Sequence, residues 1–342
     1  MASTRIDNDV WQYVCSLHKF YGNPHCSHAM AKQARDIIEN AREIIAKKIN
    51  AEPCEIIFTS SGTAANNLAI AQADGHIVTT AAEHISLLES VVNSGLDYTI
   101  LNVNEHGLID TFDLENAIYD DTDLVSVIYA NNEIGTITDI STVAKIATVH
   151  GALFHADCVA ALPHMDVDVK ALGLDMASFS AHKLGGLKGT GALYVSKEID
   201  FVPIIHGHET PNVLGIAAFG KSVEILDYWS CLKIQQNSLL QTLKQGILSS
   251  VDHAHINNPT AEIPVLNVRF DGVDGARLVQ ALSDKGVYVS NGSCSNRGVS
   301  HVLKAIGLTR EQAQSSIRFS IGRQNTIEEI NYVVETLSTL VS

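Results

Sequence analysis

The chain has 342 residues, 46% hydrophobic and 18% charged, and its formal net charge is −15. This apolar content can form a sizeable core and excludes a disordered chain. The acidic excess argues against nucleic-acid binding through a general basic surface, and no apolar run of about 18 residues predicts a membrane span. The N-terminal segment carries acids where a signal peptide would be apolar, so we expect a soluble, cytoplasmic protein.

Strand-like and helical segments alternate along the first two thirds of the chain. A helical pattern covers residues 31–50, and further helices are predicted at 64–73 and 140–150. Seven strand-like runs are predicted in this part, at 55–59, 77–80, 98–103, 124–130, 153–156, 176–180 and 192–195. This alternation predicts an α/β fold with parallel strands, helices on both faces, and ligands beyond the carboxyl ends of the strands.

A second, smaller α/β domain is predicted after residue 228. A helix over 232–249 precedes a strand at 265–270, and a helix over 275–285 precedes a strand at 287–289. We therefore predict a large domain over 12–230 and a small domain over 231–342 that also includes residues 1–11.

Six cysteines are scattered along the chain without a CxxC pair. This spacing is not typical of a disulfide framework or a zinc ribbon, so any chemical role has to be considered one cysteine at a time.

Chemically active residue types follow several predicted strands. Lys183 comes just after the strand at 176–180, beside Ser180 and His182, and is either a solvated loop residue or an amine that forms a Schiff base near a phosphate. Asp157 closes another strand, where it either caps a helix or pairs with a cation such as a pyridinium nitrogen. The small residues at 60–63, between a strand and a helix, can direct N–H groups at a phosphate.

Eight segments, taken in order, resemble the cysteine desulfurases of the NifS/IscS type, which are class-V aminotransferase-like, fold-type I enzymes that use pyridoxal 5′-phosphate (PLP). They extend from residue 22 to residue 323 and read GNPHCSH, FTSSGTAANNLAI, AAEHISLL, YANNEIGTI, FHADCVA, SFSAHKLGGLKGTGALYV, SHVLKAIGL and SSIRFSIGR. The resemblance implies a large domain with a mainly parallel seven-stranded sheet between helices, and a smaller C-terminal α/β domain.

The resemblance also implies roles for single residues. Lys183 aligns with the lysine that binds PLP covalently and moves protons at the substrate Cα, and Asp157 with the carboxylate that keeps the pyridine nitrogen protonated. His84 aligns with the histidine that stacks on the ring and is implicated in proton transfer. The other implied contacts are Gly62, Thr63, Ser180 and His182 for the phosphate, Asn132 for the cofactor hydroxyl and the substrate, Arg318 for the substrate carboxylate, and Thr210 for the phosphate of a neighbouring subunit. The last contact implies a homodimer.

The family carries its nucleophilic cysteine in a Gly-Ser-Ala-Cys loop, and this chain has Gly292-Ser-Cys-Ser295. Without a gap, Ser295 takes the place of the cysteine, whereas a one-residue gap brings Cys294 there. A thiol is the better nucleophile towards sulfur, so Cys294 is predicted as the catalytic thiol.

Three other predictions concern residues inside matching segments. Cys26 and Cys158 do not stand at the nucleophile position and are expected to be packing residues. The resemblance disfavours a metal cluster of His25, Cys26 and His28, and no metal is expected.

The implied reaction takes sulfur from L-cysteine, leaves L-alanine and forms a persulfide on Cys294. The sulfur would pass to an acceptor protein, either an iron–sulfur cluster scaffold or a carrier for tRNA thiolation. Two alternatives stay open: another PLP-dependent lyase or aminotransferase reaction, and a PLP-binding homologue with impaired catalysis that needs or regulates a partner.

Three departures from the family surround the mouth of the predicted site. Ala160 stands where the family has a glutamine that hydrogen-bonds the cofactor. The N-terminal segment is short, and the loop over 205–209 ahead of Thr210 is truncated. These departures predict an open active site that a partner protein covers.

Overall fold

A seven-stranded sheet forms the centre of the larger part of the chain. The computed structural model describes residues 3–207, 209–229, 232–292 and 299–341. The strands of this sheet are β1 (Ile56–Thr59), β2 (His76–Thr80), β3 (Tyr98–Leu101), β4 (Thr122–Ile128), β5 (Leu153–Asp157), β6 (Met176–Ser180) and β7 (Gly191–Val195). Their order is β1-β7-β6-β5-β4-β2-β3, and within this sheet β7 runs against the other six. The seven predicted strands and the mainly parallel sheet are confirmed.

Helices cover both faces of this sheet. They are α1 (Asn8–Ser16), α2 (Ala29–Lys48), α3 (Gly62–Ile70), α4 (Ile85–Val92), α5 (Thr111–Ala117), α6 (Ile140–Val149), α7 (Val213–Glu224) and α8 (Leu226–Trp229). Successive strand residues face opposite sides, so Leu124 packs with α3 and α4 while Val125 packs with α2, α5, α6 and α7. Two buried faces explain why these strands read as continuous apolar runs.

An antiparallel three-stranded sheet forms the centre of the C-terminal part. Its order is β10-β9-β8, with β8 (Ala254–Ile256), β9 (Val265–Phe270) and β10 (Ser316–Ser320). The helices in this part are α9 (Leu232–Ser250), α10 (Gly275–Asp284), α11 (His301–Ala305), α12 (Arg310–Gln314) and α13 (Ile327–Leu340), and α9, α10 and α13 pack on the sheet in a core of their own.

One predicted strand in this part is wrong and one strand was missed. Residues 287–289 do not form a strand, because the free edge of β10 is met there only by Ser290, in an isolated bridge to Arg318. The three-residue strand β8 is too short to give a clear alternation.

The N-terminal segment contacts both parts of the chain. Val10 and Val14 of α1 pack against α7, and the carboxylate of Asp7 lies 2.5 Å from the guanidinium of Arg323. The predicted boundary at residues 230 and 231 lies outside the described residues, and the assignment of the domains stays a prediction. Among the described helices, none has the length and apolar content needed to span a membrane.

Candidate active site

A cavity of about 260 Å³ lies beyond the carboxyl ends of β4, β5 and β6. Asp157 is the last residue of β5 and Ser180 the last of β6, and Lys183 follows in a short 3-10 turn. Parallel strands bring these ends to one edge of the sheet, where α3 begins with Gly62. The predicted residues that line the cavity together are Gly62, Thr63, His84, Asn132, Asp157, Ser180, His182, Lys183 and Arg318.

The carboxylate of Asp157 is buried and held in place by two N–H donors. The amide Nδ2 of Asn66 donates to Oδ2 at 2.8 Å, and the backbone N–H of Val159 donates to Oδ1 at 3.0 Å. A buried carboxylate is stable only when such donors or a cation compensate for the lost water. Asp157 is therefore oriented to receive a positively charged or N–H group from the cavity.

A buried histidine supports the strand that carries Asp157. His155 is fully buried on the same face of β5, with Nδ1 2.7 Å from Oγ of Ser126 and Nε2 2.9 Å from Oγ of Ser178. Burial lowers the pKa of His155 from 6.5 to about 4, although Asp157 acts in the opposite direction. His155 is thus neutral at pH 7 and joins β4, β5 and β6 through side-chain hydrogen bonds.

His84 caps the N-terminus of α4 with its own ring. Its Nδ1 accepts the backbone N–H of Ser86 at 3.2 Å and lies 2.7 Å from Oγ of the same serine. Burial lowers the pKa of His84 below its ordinary value, Asp157 opposes this shift, and Lys183 reinforces it. The ring is therefore neutral at pH 7.

One end of the cavity is suited to an anion. Helix α3 begins there, and Oγ of its capping residue Ser61 accepts the N–H of Ala64 at 3.1 Å, while Gly62 and Thr63 form the first turn. Ser180 Oγ is buried and has no hydrogen-bond partner among the described residues. A helix N-terminus beside an unpaired buried hydroxyl is typical of a phosphate site.

Arg318 lines the same cavity from its position in β10. Its side chain is 4% exposed, and Nη1 donates to the backbone oxygen of Asn132 at 3.0 Å. Its Nε is buried and unpaired within the part of the chain that the structure describes. An unpaired donor on a buried cation is suited to a carboxylate.

A second cavity of about 510 Å³ shares Lys183 and Arg318 with the first. Its lining includes Ser3, Thr4 and Arg5, and none of its described lining residues is an Asp or a Glu. Thr4 holds this N-terminal segment in place, because its backbone N–H donates to the oxygen of His182 at 3.0 Å and its hydroxyl accepts the N–H of Gly185 at 2.8 Å. The short N-terminal segment therefore lines the cavity next to the predicted site.

His182 lies where this N-terminal segment meets the first cavity. Its Nδ1 is 3.1 Å from the hydroxyl of Ser3. Burial, with help from Lys183 and Lys188, lowers the pKa of His182 to about 4. His182 therefore offers a phosphate a neutral hydrogen-bond donor and not a positive charge.

One described residue of the predicted site, Thr210, does not line the cavity. Thr210 is exposed in the segment before α7, where its Oγ1 accepts a hydrogen bond from Asn23 Nδ2 at 3.4 Å. Cys294 and its alternative Ser295 fall outside the described residues.

The predictions for Cys158 and Cys26 have different outcomes. Cys158 is fully buried, which confirms its predicted packing role. Burial, and to a smaller extent the charge of Asp157, raises the pKa of its thiol well above the ordinary value. Cys26 is exposed, so its predicted packing role is wrong. Nearby, His25 Nε2 lies 2.9 Å from the oxygen of Glu209, and His28 caps α2 by accepting the N–H of Ala31.

Sequence reasoning missed Asn66 and Ser86. Asn66 is 1% exposed and links Asp157 to Ser86, which in turn contacts His84. The available signal was a polar residue on the apolar, sheet-facing side of α3, one turn after the glycine that starts the helix.

The chain is similar along its whole length to proteins of one family. The family described as "Aminotransferase class-V" matches residues 1–333. Among curated proteins, "Cysteine desulfurase IscS" of Dictyoglomus turgidum is 37% identical over 99% of this chain and 93% of its own, and that of Methanosarcina thermophila is 36% identical over 94% and 85%. Among solved structures, a NifS-like protein from Rickettsia africae has a TM-score of 0.93 at 32% identity, covering 99% of this chain and 97% of that one.

The chain therefore belongs to the class-V aminotransferase family, with its fold-type I architecture. Within this family it groups with the cysteine desulfurases, whose cofactor is PLP. The residues of the first cavity fit that cofactor. The unpaired hydroxyl of Ser180 and the start of α3 suit its phosphate, Asp157 suits its pyridinium nitrogen, and Lys183 supplies an amine for its aldehyde.

Proposed function

We propose that this protein is a PLP-dependent cysteine desulfurase that converts L-cysteine to L-alanine and passes the sulfur to Cys294. The main support is the one cavity that Asp157, Lys183 and Arg318 line together, since a ring anchor, a proton-carrying amine and a carboxylate clamp serve an amino-acid substrate. The names of the relatives at 36–37% identity support cysteine as that amino acid. A solved structure named "SspA in complex with cysteine" is 30% identical, with a TM-score of 0.81.

Each residue of the cavity has a defined task in this reaction. PLP, when bound, supplies an electron sink for negative charge that develops at the substrate Cα. Asp157 keeps the cofactor nitrogen protonated, and Arg318 holds the substrate carboxylate through its Nε and a terminal nitrogen. The Nζ of Lys183 takes the proton from Cα and returns it to the product.

The sulfur atom leaves by attack of a thiolate. Cys294 forms an S–S bond to the substrate sulfur while the C–S bond breaks, and the carbon that loses sulfur takes up a proton. L-cysteine and the enzyme thiol thus give L-alanine and an enzyme persulfide, with no external oxidant. Cys158 is excluded from this role because it is fully buried and its pKa is raised.

Alanine formation tests this proposal. The PLP-loaded protein is incubated with L-cysteine and a thiol reductant, and alanine is measured for the wild type, for Cys294→Ala and for the matched control Cys26→Ala, which changes an exposed cysteine. Alanine from the wild type and from the control, but not from Cys294→Ala, is the expected result. Turnover of a different amino acid without alanine would favour another PLP reaction, and a loaded protein without any turnover would favour a homologue that acts through a partner.

A homodimer is also part of the proposal. Val202, Ile204 and Ile205 are 60%, 50% and 67% exposed in the segment before Thr210, which supports burial against a second copy. Thr210 would then reach the phosphate in the neighbouring subunit. Light scattering should give twice the chain mass of 36.9 kDa, and Thr210→Val should weaken PLP binding while the dimer persists.

An acceptor protein completes the proposal. The persulfide would pass its outer sulfur to a thiol of an iron–sulfur scaffold or of a carrier for tRNA thiolation, in the cytoplasm. Mass spectrometry of a candidate acceptor should show the gain of one sulfur atom after incubation with the enzyme and L-cysteine. No gain on any candidate of either class would contradict this part of the proposal.

A further inference from the structure

The ring of His84 is connected to Asp157 by two side chains that the reaction itself does not require. Asn66 of α3 donates through Nδ2 to Asp157 Oδ2 at 2.8 Å and to Ser86 Oγ at 3.0 Å. Ser86 Oγ lies 2.7 Å from Nδ1 of His84. These hydrogen bonds form a relay, Asp157–Asn66–Ser86–His84. It connects the carboxylate at the predicted cofactor site to the histidine that lines the same cavity.

The donor and the acceptor of each hydrogen bond in this relay follow from the groups at its two ends, starting with the carboxylate of Asp157. The ionised carboxylate of Asp157 accepts only, so the amide group of Asn66 that faces it must be the NH₂. The second hydrogen of that NH₂ points at Ser86 Oγ, which accepts it. The hydroxyl hydrogen of Ser86 is then free to point at the ring nitrogen of His84.

The backbone gives the same direction independently. The N–H of Ser86 also points at Nδ1 of His84, at 3.2 Å, and a backbone N–H can only donate. A hydrogen on Nδ1 would face two donors and would leave the first turn of α4 without its cap. Nδ1 therefore keeps its lone pair, and the ring hydrogen of the neutral imidazole lies on Nε2.

We propose that Asn66 and Ser86 are positioning residues that hold His84 as the neutral Nε2–H tautomer, so that His84 serves the reaction as a hydrogen-bond donor and not as a base. An Nε2 that carries the hydrogen has no lone pair with which to take a proton from the substrate. Proton transfer at the substrate Cα is then left to Lys183 alone. The tautomer of His84 is inferred from the hydrogen-bond geometry alone, whereas its consequence for catalysis rests on the proposed desulfurase function.

Charged and titratable groups surround the ring from several elements. Asp157 of β5, Lys183 after β6, Glu133 in the loop after β4 and His301 of α11 all act on His84 electrostatically, with Asp157 and Glu133 favouring its protonated form and Lys183 and His301 opposing it. Burial, together with Lys183 and His301, outweighs the two acids and lowers the pKa of His84, so the ring that Asn66 and Ser86 orient is the neutral one.

Nitrogen-15 NMR of histidine-labelled, PLP-loaded protein without substrate reads the tautomer directly, and His84→Gln assigns the signals. The wild type should show a lone pair on Nδ1 and a hydrogen on Nε2 at pH 7. Ser86→Ala and Asn66→Ala should both move the Nδ1 signal part of the way towards the protonated position, because the backbone N–H of residue 86 still favours the lone pair. Ser86→Thr, which keeps a hydroxyl, should restore the wild-type shift. Asn67→Ala, one residue along α3 and bonded instead to the oxygen of Thr63, should leave the shift unchanged.

Kinetics give the second readout. Ser86→Ala should lower kcat by about fivefold, the effect of one lost hydrogen bond, with KM within about twofold of wild type, and Ser86→Thr should recover most of the loss. A wild-type ring with its hydrogen on Nδ1, or a Ser86→Ala signal that does not move at all, would overturn the assignment. Because the spectrum is recorded without substrate, this result is independent of whether cysteine is the substrate.

Discussion

Replacement of Arg318 by lysine separates charge from geometry at the predicted carboxylate clamp. Lysine keeps the positive charge but replaces the planar fork with one ammonium group. The structure shows what the fork provides: Nη1 is held by the oxygen of Asn132 at 3.0 Å, which leaves the buried Nε as a donor for the substrate. Arg318→Lys should therefore lose one of two charged hydrogen bonds to the substrate carboxylate.

The size of the effect follows from the burial of the site. Arg318 is 4% exposed, so solvent does not replace the lost bond, and a hydrogen bond to a charged group in such a place contributes about 1.5–3 kcal/mol. This corresponds to a rise in KM for L-cysteine of roughly tenfold to 100-fold, with a smaller change in kcat because the carboxylate is bound before and during the reaction.

The assay is alanine formation over a range of L-cysteine concentrations. Arg269→Lys is the matched control, because Arg269 lies on the neighbouring strand β9 and pairs with Asp271 at 2.6 Å away from the cavity. Its KM should equal that of the wild type. A KM for Arg318→Lys within about twofold of wild type would refute the clamp, since the loss of one buried charged hydrogen bond must exceed this.

Three further predictions concern the surrounding framework. The pKa of His155 is lowered from 6.5 to about 4, so its contribution to stability is complete above pH 6.5 and is lost as the pH falls towards 4. Between pH 7 and pH 5 this loss amounts to about 2 kcal/mol, so the fall in stability measured by urea unfolding should be smaller by about this amount for His155→Gln than for wild type. A Cβ on Gly220 would lie 2.7 Å from Cα of Ala41 where α7 crosses α2, so Gly220→Ala should lower the free energy of unfolding by about 1–3 kcal/mol. Cys158 should resist alkylation until the protein unfolds, whereas the exposed cysteines should react in the native state, as peptide mass spectrometry can show.

Each of these has a result that would contradict it. An equal fall in stability for His155→Gln would mean that other groups cause the acid sensitivity. Unchanged unfolding of Gly220→Ala would mean that the two helices can separate without loss. Rapid native alkylation at Cys158 would mean that the core around β5 opens readily.

The sequence could predict the residues at strand ends because their positions follow from local pattern alone. An apolar strand followed by a polar residue places Asp157 and Ser180 at the carboxyl edge of a parallel sheet, and Lys183 follows within the next turn. The resemblance to a family then supplied roles that no local pattern contains. Arg318 shows this limit, because it lies on a different sheet and reaches the cavity only through the packing of the two parts of the chain.

The relay of Asn66 and Ser86 could not be predicted, because it depends on how α3 packs beside α4 and over β5. Twenty residues separate Asn66 from Ser86, and ninety-one separate it from Asp157. The predicted strand over 287–289 failed for a related reason. A short apolar run satisfies the alternation rule, but a strand also needs a partner edge, and within residues 287–290 only Ser290 bridges to β10.

The most direct test of sulfur transfer is the mass of the peptide that contains Cys294 after brief exposure of the PLP-loaded protein to L-cysteine without reductant. We predict the gain of one sulfur atom on this peptide and on no other cysteine peptide, with one alanine released for each sulfur bound. Alanine released while the sulfur is found on another cysteine, or on none, would contradict the assignment of Cys294 as the sulfur acceptor of the active site.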